Sequence, residues 1–357
     1  MIRAVAHVAA MAPYALADVA APGMRSLAQN ESAFPPNPAA LAAGRKAAGE
    51  AMLYPDPDWT DLRAAIGEIH SVAPDGILIG AGSMELIGGL MRGFSGPGDA
   101  VLGSAHGYLF AATACQQAGA SYRTAPEQNF TVSVDNLLAA VTPDIRIVFV
   151  CNPGNPTGTS IPNAEIVRLR ESLPENVLLI VDQAYGEFDG QDAGPIFELV
   201  ERGDTVVLRT LSKAYCLAGA RAGWGLFPKA IGSEVRKLLN PNNVSIVSQT
   251  MAIGAIRNQA HMAQTVNATA AIRERFSARL RAGGYPVPSS RTNFILIPFP
   301  TAEAARRADD ALRKAGYLLR GLAGYGLPHC LRATIAEGEV MDDVADILIA
   351  FKELPHG

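Results

Sequence analysis

Charge of one sign, clustered thiols, metal-spaced histidines and long apolar runs are all missing from this chain of 357 residues. Its 30 Lys and Arg against 34 Asp and Glu leave a net charge of −4, without a basic stripe or acidic tail. That balance excludes the usual electrostatic footprints of nucleic-acid and membrane-surface binding. The four cysteines, Cys115, Cys151, Cys216 and Cys330, are scattered and form no CxxC, so buried free thiols in a reducing cytoplasm are expected. The six histidines form no HExxH or comparable spacing, and no metal site is expected. No apolar stretch reaches the ~20 residues that cross a bilayer. The Ala- and Val-rich start, residues 4–21, has the look of a signal peptide. Only Arg3 precedes it, and His7 and Asp18 interrupt it, so an arm packed on the folded body is expected instead.

What is present is a large apolar fraction, 49%, in a chain long enough for two domains. Through the middle, short apolar runs alternate with amphipathic stretches. Runs 77–79, 99–102, 145–150, 177–181 and 205–208 read as buried strands. Segments 83–94, 109–118 and 161–172 read as helices between them. The alternation predicts an α/β fold: a large domain with a mostly parallel sheet flanked by helices. Past about residue 257 the pattern changes. A long helix at 258–282, strands at 292–298, 317–319 and 330–335, and helices at 302–315 and 340–354 predict a smaller α+β domain. The expected division is an N-terminal arm, 1–35, joining the small domain; a large domain, 36–258; and a small domain, 259–357.

Ligands of open α/β sheets bind at the carboxyl ends of the strands, and several polar groups fall there. Lys213 follows run 205–208, with Thr210 and Ser212 before it and Arg221 after it. An amine able to form a Schiff base, beside hydroxyls and a guanidinium fork that suit a phosphate, points to pyridoxal phosphate. Each of that cofactor's other needs has a candidate. Asp182, after run 177–181, would keep the pyridine nitrogen protonated. Asn155 and Tyr185 would contact the phenolate oxygen. Gly82, Ser83 and Met84 would offer a helix start to the phosphate. Tyr108 would supply an aromatic platform for the ring. Taken singly these are weaker signals. Asp182 alone could be a helix cap, the Asn152-Pro-Gly-Asn-Pro-Thr-Gly158 loop plain turn chemistry, and Arg332 a surface ion pair. Gly80-Ala-Gly-Ser-Met-Glu85 imitates a dinucleotide fingerprint but lacks its third glycine.

Three blocks together, Asn152-Pro-Gly-Asn-Pro-Thr-Gly158, Asp182-Gln-Ala-Tyr-Gly-Glu-Phe188 and Arg209-Thr-Leu-Ser-Lys213 through Arg221, resemble the signatures of fold-type-I pyridoxal-phosphate aminotransferases. Gln29-Asn-Glu-Ser32, Leu53-Tyr-Pro-Asp56, Tyr317-Leu-Leu-Arg320 and Gly326-Leu-Pro-His-Cys-Leu-Arg-Ala-Thr334 resemble the histidinol-phosphate subgroup. The resemblance implies that Lys213 binds the cofactor, that Asp182 pairs with the pyridine nitrogen, and that Asn155 and Tyr185 contact the phenolate. It implies that Thr210, Ser212 and Arg221 hold the phosphate, with Tyr54 reaching the phosphate of a neighbouring subunit in a homodimer. Arg332 would take the substrate carboxylate, Arg320 the phosphate end of histidinol phosphate, and Tyr14 would be an arm tyrosine closing over substrate. Three positions depart from the family pattern: Gln183 stands for a usual Glu, Met84 for Asp or Asn, and Ala336-Glu-Gly-Glu339 for Gly-Thr.

The expected activity is therefore a cytoplasmic, homodimeric aminotransferase working on histidinol phosphate and 2-oxoglutarate. An aromatic amino-acid aminotransferase and a pyridoxal-phosphate decarboxylase of a phosphorylated amino acid remain open. A regulator built on the same fold would carry a fused DNA-binding segment or lack the lysine. This chain begins almost at the arm and keeps Lys213.

Overall fold

The computed structural model describes residues 2–14 and 18–353. Among these, β1 is a two-residue strand, Arg25–Ser26. Seven strands build the central sheet: β2 (Ile77–Gly80), β3 (Ala100–Ser104), β4 (Ser121–Ala125), β5 (Ile145–Cys151), β6 (Leu178–Asp182), β7 (Thr205–Thr210) and β8 (Gly223–Leu226). Their order is β2-β8-β7-β6-β5-β3-β4. Only β8 runs against its neighbours, β2 and β7. The others are parallel, so β2, β5, β6 and β7 end at one edge, where β8 begins.

Strands β5, β6 and β7 are the apolar runs of the sequence, and nearly every residue in them is buried, as a sheet covered on both faces requires. Two strands carry no such run. β4 is an edge strand, Ser-Tyr-Arg-Thr-Ala, half of it facing water. β8 is Gly-Trp-Gly-Leu. Gly223 answers a close approach: a Cβ there would lie 2.3 Å from the Ser83 backbone nitrogen. The helices Pro38–Ala47, Thr60–His70 and Ile246–Ile256 also join this layer, outside the segments that the sequence pattern marks.

The helix Gln259–Ala282 leads out of the large apolar cluster into a second one. There β9 (Phe294–Pro298), β11 (Arg320–Gly321) and β12 (Cys330–Thr334) form an antiparallel sheet in the order β11-β12-β9. The strand expected at 317–319 is the two-residue β10 (Tyr317–Leu318), and it pairs with β1 rather than with this sheet. The closing helix begins at Gly338 and is described to Glu353; Leu354 lies outside the described residues. The second cluster contains Phe276, Ile295, Ile297, Leu331, Val344 and Leu348, and also Leu27 from the N-terminal segment. That segment is sewn in by backbone bonds: Leu27 N–H donates to Leu318 O at 2.7 Å, and Thr334 N–H to Leu27 O at 2.9 Å.

The contact at Gly223 gives a direct test. Gly223→Ala forces the β8 backbone away from the Gly82–Ser83 turn. The unfolding free energy, read by chemical denaturation, is expected to fall by about 1–3 kcal/mol, the usual effect of overpacking.

Candidate active site

A cavity of about 400 Å³ opens where β5, β6 and β7 end and β8 begins, and the small sheet and N-terminal segment close its other side. Asp182 is the last residue of β6 and is 2% exposed. One of its carboxylate oxygens accepts from the Ala184 N–H at 3.1 Å, so it does cap the local turn. It also faces the cavity. Burial pushes its carboxyl up to about 7, opposed only by that one backbone bond. A carboxyl poised there is suited to share a proton with a ring nitrogen.

The loop after β5 divides its work between two asparagines. Asn152 is the structural clamp: its amide donates to Ile161 O at 3.0 Å, and its oxygen accepts from Ile161 N–H at 2.9 Å. Asn155 reaches the cavity instead.

After β7 the chain turns sharply, with Ser212 N–H donating to Thr210 Oγ1 at 3.2 Å and Thr210 Oγ1 donating to Ser212 Oγ at 3.0 Å. Both hydroxyls line the cavity. Lys213 Nζ points across it and donates to Asn30 O at 2.9 Å and Gln29 O at 3.3 Å. Burial holds this amine down at about 7; Arg332 and Arg221 add to the effect and Glu31 opposes it. Arg221 follows, its Nη1 donating to Ala218 O at 2.9 Å. Its guanidinium fills the space beside Gly82, where a Cβ would meet Nη2 at 2.6 Å. Gly82 itself has φ +78°, a left-handed conformation natural to glycine, and it caps the helix Ser83–Phe94. Two hydroxyls, a guanidinium and the N-terminus at Gly82, Ser83 and Met84 thus surround one anion-sized space.

The aromatic groups come from three elements. Tyr185 opens the short helix after β6; its hydroxyl accepts from Asn30 Nδ2 at 2.9 Å, and its ring meets Phe294 edge-on at 5.2 Å. Burial raises its phenol above the ordinary value, as it does that of Tyr108. Tyr14, from the N-terminal segment, packs edge-on against Phe110 at 6.0 Å and hydrogen-bonds Tyr108.

Two arginines face each other across β11 and β12, where Arg320 is in register with Arg332. Arg332 is 5% exposed, and among the described residues no carboxylate pairs with it, so it is not a surface ion pair. Its Nη1 donates to Asn155 Oδ1 at 2.6 Å and its Nη2 to Ala28 O at 2.7 Å. Its Nε is buried without a partner. Burial lowers its pKa. A guanidinium in that state is a receptor for an anion.

Every site residue expected from the sequence lines this cavity except Tyr54, which is 87% exposed on the loop after helix Pro38–Ala47. Of the departures from the family pattern, only Met84 borders the cavity. Gln183 turns away and accepts from Arg209 Nη2 at 3.0 Å, while Glu187 pairs with the same guanidinium at 3.1 Å, both buried. Glu337 binds Arg25 at 2.6 and 2.8 Å. Sequence reasoning gave no role to Asn30, Glu31 or Tyr325, which also line the cavity. The Gln29-Asn-Glu-Ser32 block was a visible signal for the first two. Tyr325 sits in a turn with no distinguishing pattern.

A buried carboxyl, an amide and a phenol, a lysine amine, an anion cradle and an aromatic platform are the donor set that pyridoxal phosphate requires, and the residues present fit it. The Aminotransferase class I and II family model matches residues 22–348, and the chain belongs to that family. It is a pyridoxal-phosphate-dependent transaminase of fold type I. It is similar to the histidinol-phosphate aminotransferase of Paramagnetospirillum magneticum, 43% identical over 317 residues, 88% of this chain and 87% of that one. The enzyme of the same name from Ruegeria pomeroyi is 40% identical, over 92% of this chain and 91% of that one. The crystal structure of histidinol-phosphate aminotransferase from Sinorhizobium meliloti in complex with pyridoxal-5'-phosphate superposes with a TM-score of 0.86 at 31% identity, covering 91% and 90% of the two chains.

The depressed Lys213 amine predicts a reactivity profile. The neutral form reacts with aldehydes, so reductive trapping of Lys213 in the cofactor-free protein is expected to rise through about pH 7 and then level off. A lysine at the ordinary value of 10.5 would still be rising far above that pH. Peptide mass mapping after trapping at a series of pH values reads the midpoint.

Proposed function

We propose that this enzyme moves the amino group of histidinol phosphate to 2-oxoglutarate. The observation that carries the reading is the pair Arg320 and Arg332, in register at one end of the cavity that holds Lys213. One site must accept a phosphate monoester in one half-reaction and a dicarboxylate in the other, and two guanidiniums in that position suit both. The similarity to named histidinol-phosphate aminotransferases over most of the chain supports the substrate.

Bound pyridoxal phosphate supplies the carbonyl that captures the amino group and the ring that accepts electrons. The residues do the rest. Lys213 holds the cofactor and moves the proton at the carbon bearing the amino group. Asp182 keeps the ring nitrogen charged. Asn155 and Tyr185 donate to the phenolate oxygen, and Tyr108 covers the ring. Gly82, Ser83, Met84, Thr210, Ser212 and Arg221 hold the phosphate. Arg332 takes carboxylate, Arg320 the phosphate of the donor, and Tyr14 closes over the bound substrate.

In the same reading, residues 1–35 and 259–357 form one small domain against a large domain of 36–258, supported by the separation of the two larger apolar clusters. Tyr54, exposed beside the exposed Met52 and Leu53, reaches the phosphate of a second copy in a cytoplasmic homodimer. Mixing Lys213→Ala chains with Tyr54→Phe chains is expected to raise activity above that of either variant alone. Strictly additive activity would remove Tyr54 from the neighbouring site.

Rapid mixing of the loaded enzyme with single amino donors tests the substrate. Histidinol phosphate and glutamate are expected to bleach the cofactor band, and phenylalanine, tyrosine and histidine to do so far more slowly. Equal bleaching by aromatic amino acids, or carbon dioxide release without 2-oxoglutarate consumption, would overturn the reading. Arg332→Ala is expected to raise the KM for glutamate by at least about 30-fold, the equivalent of about 2 kcal/mol.

A further inference from the structure

Asn30, which lines the cavity without a role above, makes five hydrogen bonds through its backbone and side chain. It is 2% exposed and sits in the left-handed region, φ 55°, at the end of the segment sewn to β12. Its backbone N–H donates to Thr334 Oγ1 at 2.9 Å. The Thr334 hydroxyl, having accepted there, donates its own proton to Asn30 Oδ1 at 3.2 Å. That bond fixes which end of the amide is oxygen. The other end, Nδ2, therefore faces Tyr185 and donates to its hydroxyl oxygen at 2.9 Å. An amide nitrogen only donates, so the Tyr185 oxygen must accept and its proton must point elsewhere. The Asn30 carbonyl meanwhile accepts from Lys213 Nζ at 2.9 Å and from Asn293 Nδ2 at 3.1 Å.

We propose that Asn30 is a positioning residue that aims the Tyr185 proton into the cavity, and that Thr334 sets the direction of this relay. The proposal rests on the reading that Lys213 and Tyr185 hold the cofactor. Thr334 lies two residues beyond Arg332 on β12, so one strand carries both the anion receptor and the group that orients Tyr185. Turning the Asn30 amide over would make Thr334 Oγ1 accept a second hydrogen bond, from the Asn30 NH2. It would also leave the Thr334 proton without its acceptor. The charged and titratable neighbours of Tyr185 are Arg332, Asp182 and Cys151, with Lys213 Nζ 6.0 Å from its ring centre.

Asn30→Asp is the discriminating substitution. It keeps the shape, and aspartate tolerates the left-handed backbone. A carboxylate cannot donate to Tyr185; it accepts from it, and the phenol proton turns away from the cavity. The cofactor's phenolate oxygen then loses a donor. The pH titration of the bound pyridoxal phosphate absorbance band is expected to move up by at least about one unit, a tenfold change in proton affinity. The new charge beside Lys213 pushes in the same direction, so the substitution is repeated in a Tyr185→Phe background, which keeps the charge but has no hydroxyl to turn. There the shift is expected to be less than half as large. A shift of equal size in both backgrounds, or no shift in either, overturns the proposal. Should Asn30→Asp fail to fold, Thr334→Val carries the test. It frees the amide to turn over, a smaller upward shift is expected, and an unchanged titration overturns the proposal. Borohydride treatment of Lys213→Ala checks the underlying reading separately. If the cofactor is still fixed to that variant, the assignment of Lys213 fails, whatever Asn30 does.

Discussion

Lys213, Asp182 and Arg332 are charged groups taken out of water around one cavity, and the cost of that desolvation organises the rest of the site. Burial pulls the Lys213 amine and the Asp182 carboxyl toward the same value, about 7. For Lys213 that suits a proton carrier at carbon, and for Asp182 a partner that shares a proton with a ring nitrogen. Arg332 cannot discharge so readily, and it is held instead by neutral acceptors, the Asn155 amide and the Ala28 carbonyl. Its Nε is left unmet. The site is thus strained electrostatically in a way that an anionic substrate and an anionic cofactor relieve.

Support for these groups is backbone geometry more than ion pairing. A Cβ at Gly223, where β8 begins, would strike the Gly82–Ser83 backbone, and one at Gly82 would strike the Arg221 guanidinium. This brings the helix N-terminus, Arg221 and the Thr210–Ser212 turn together. A buried ion pair near this edge, Arg209 with Glu187, lies behind the cavity, and Gln183 completes its shell. The glutamine departure from the family pattern therefore changes the charge of a supporting cluster and leaves the cavity wall untouched.

The N-terminal segment joins the two layers of the molecule. It pairs with β10, bonds to β12, and ends at Asn30 against Lys213 and Tyr185.

Much of this was legible in the sequence. The buried strands β5, β6 and β7 announced themselves as apolar runs, because a sheet covered on both faces has no polar side to show. Asp182, Asn155 and Lys213 could be expected at one cavity because strand ends in such sheets converge by topology alone. β4 and β8 were not legible: an edge strand keeps a polar face, and β8 is half glycine because Gly223 abuts a distant turn and Gly225 the packed side chains of Leu208 and Phe227. Asn30 stood in a visible block, but its role was hidden, since it depends on Thr334, 304 residues away, and on the direction of a hydrogen bond. The sequence by itself determined the chemistry, through residue types at strand ends. The tertiary structure decided the electrostatics, the register that sets Arg320 beside Arg332, and which asparagine aims a proton. Desolvation and hydrogen-bond direction are properties of surroundings, and the surroundings exist only once distant segments have met.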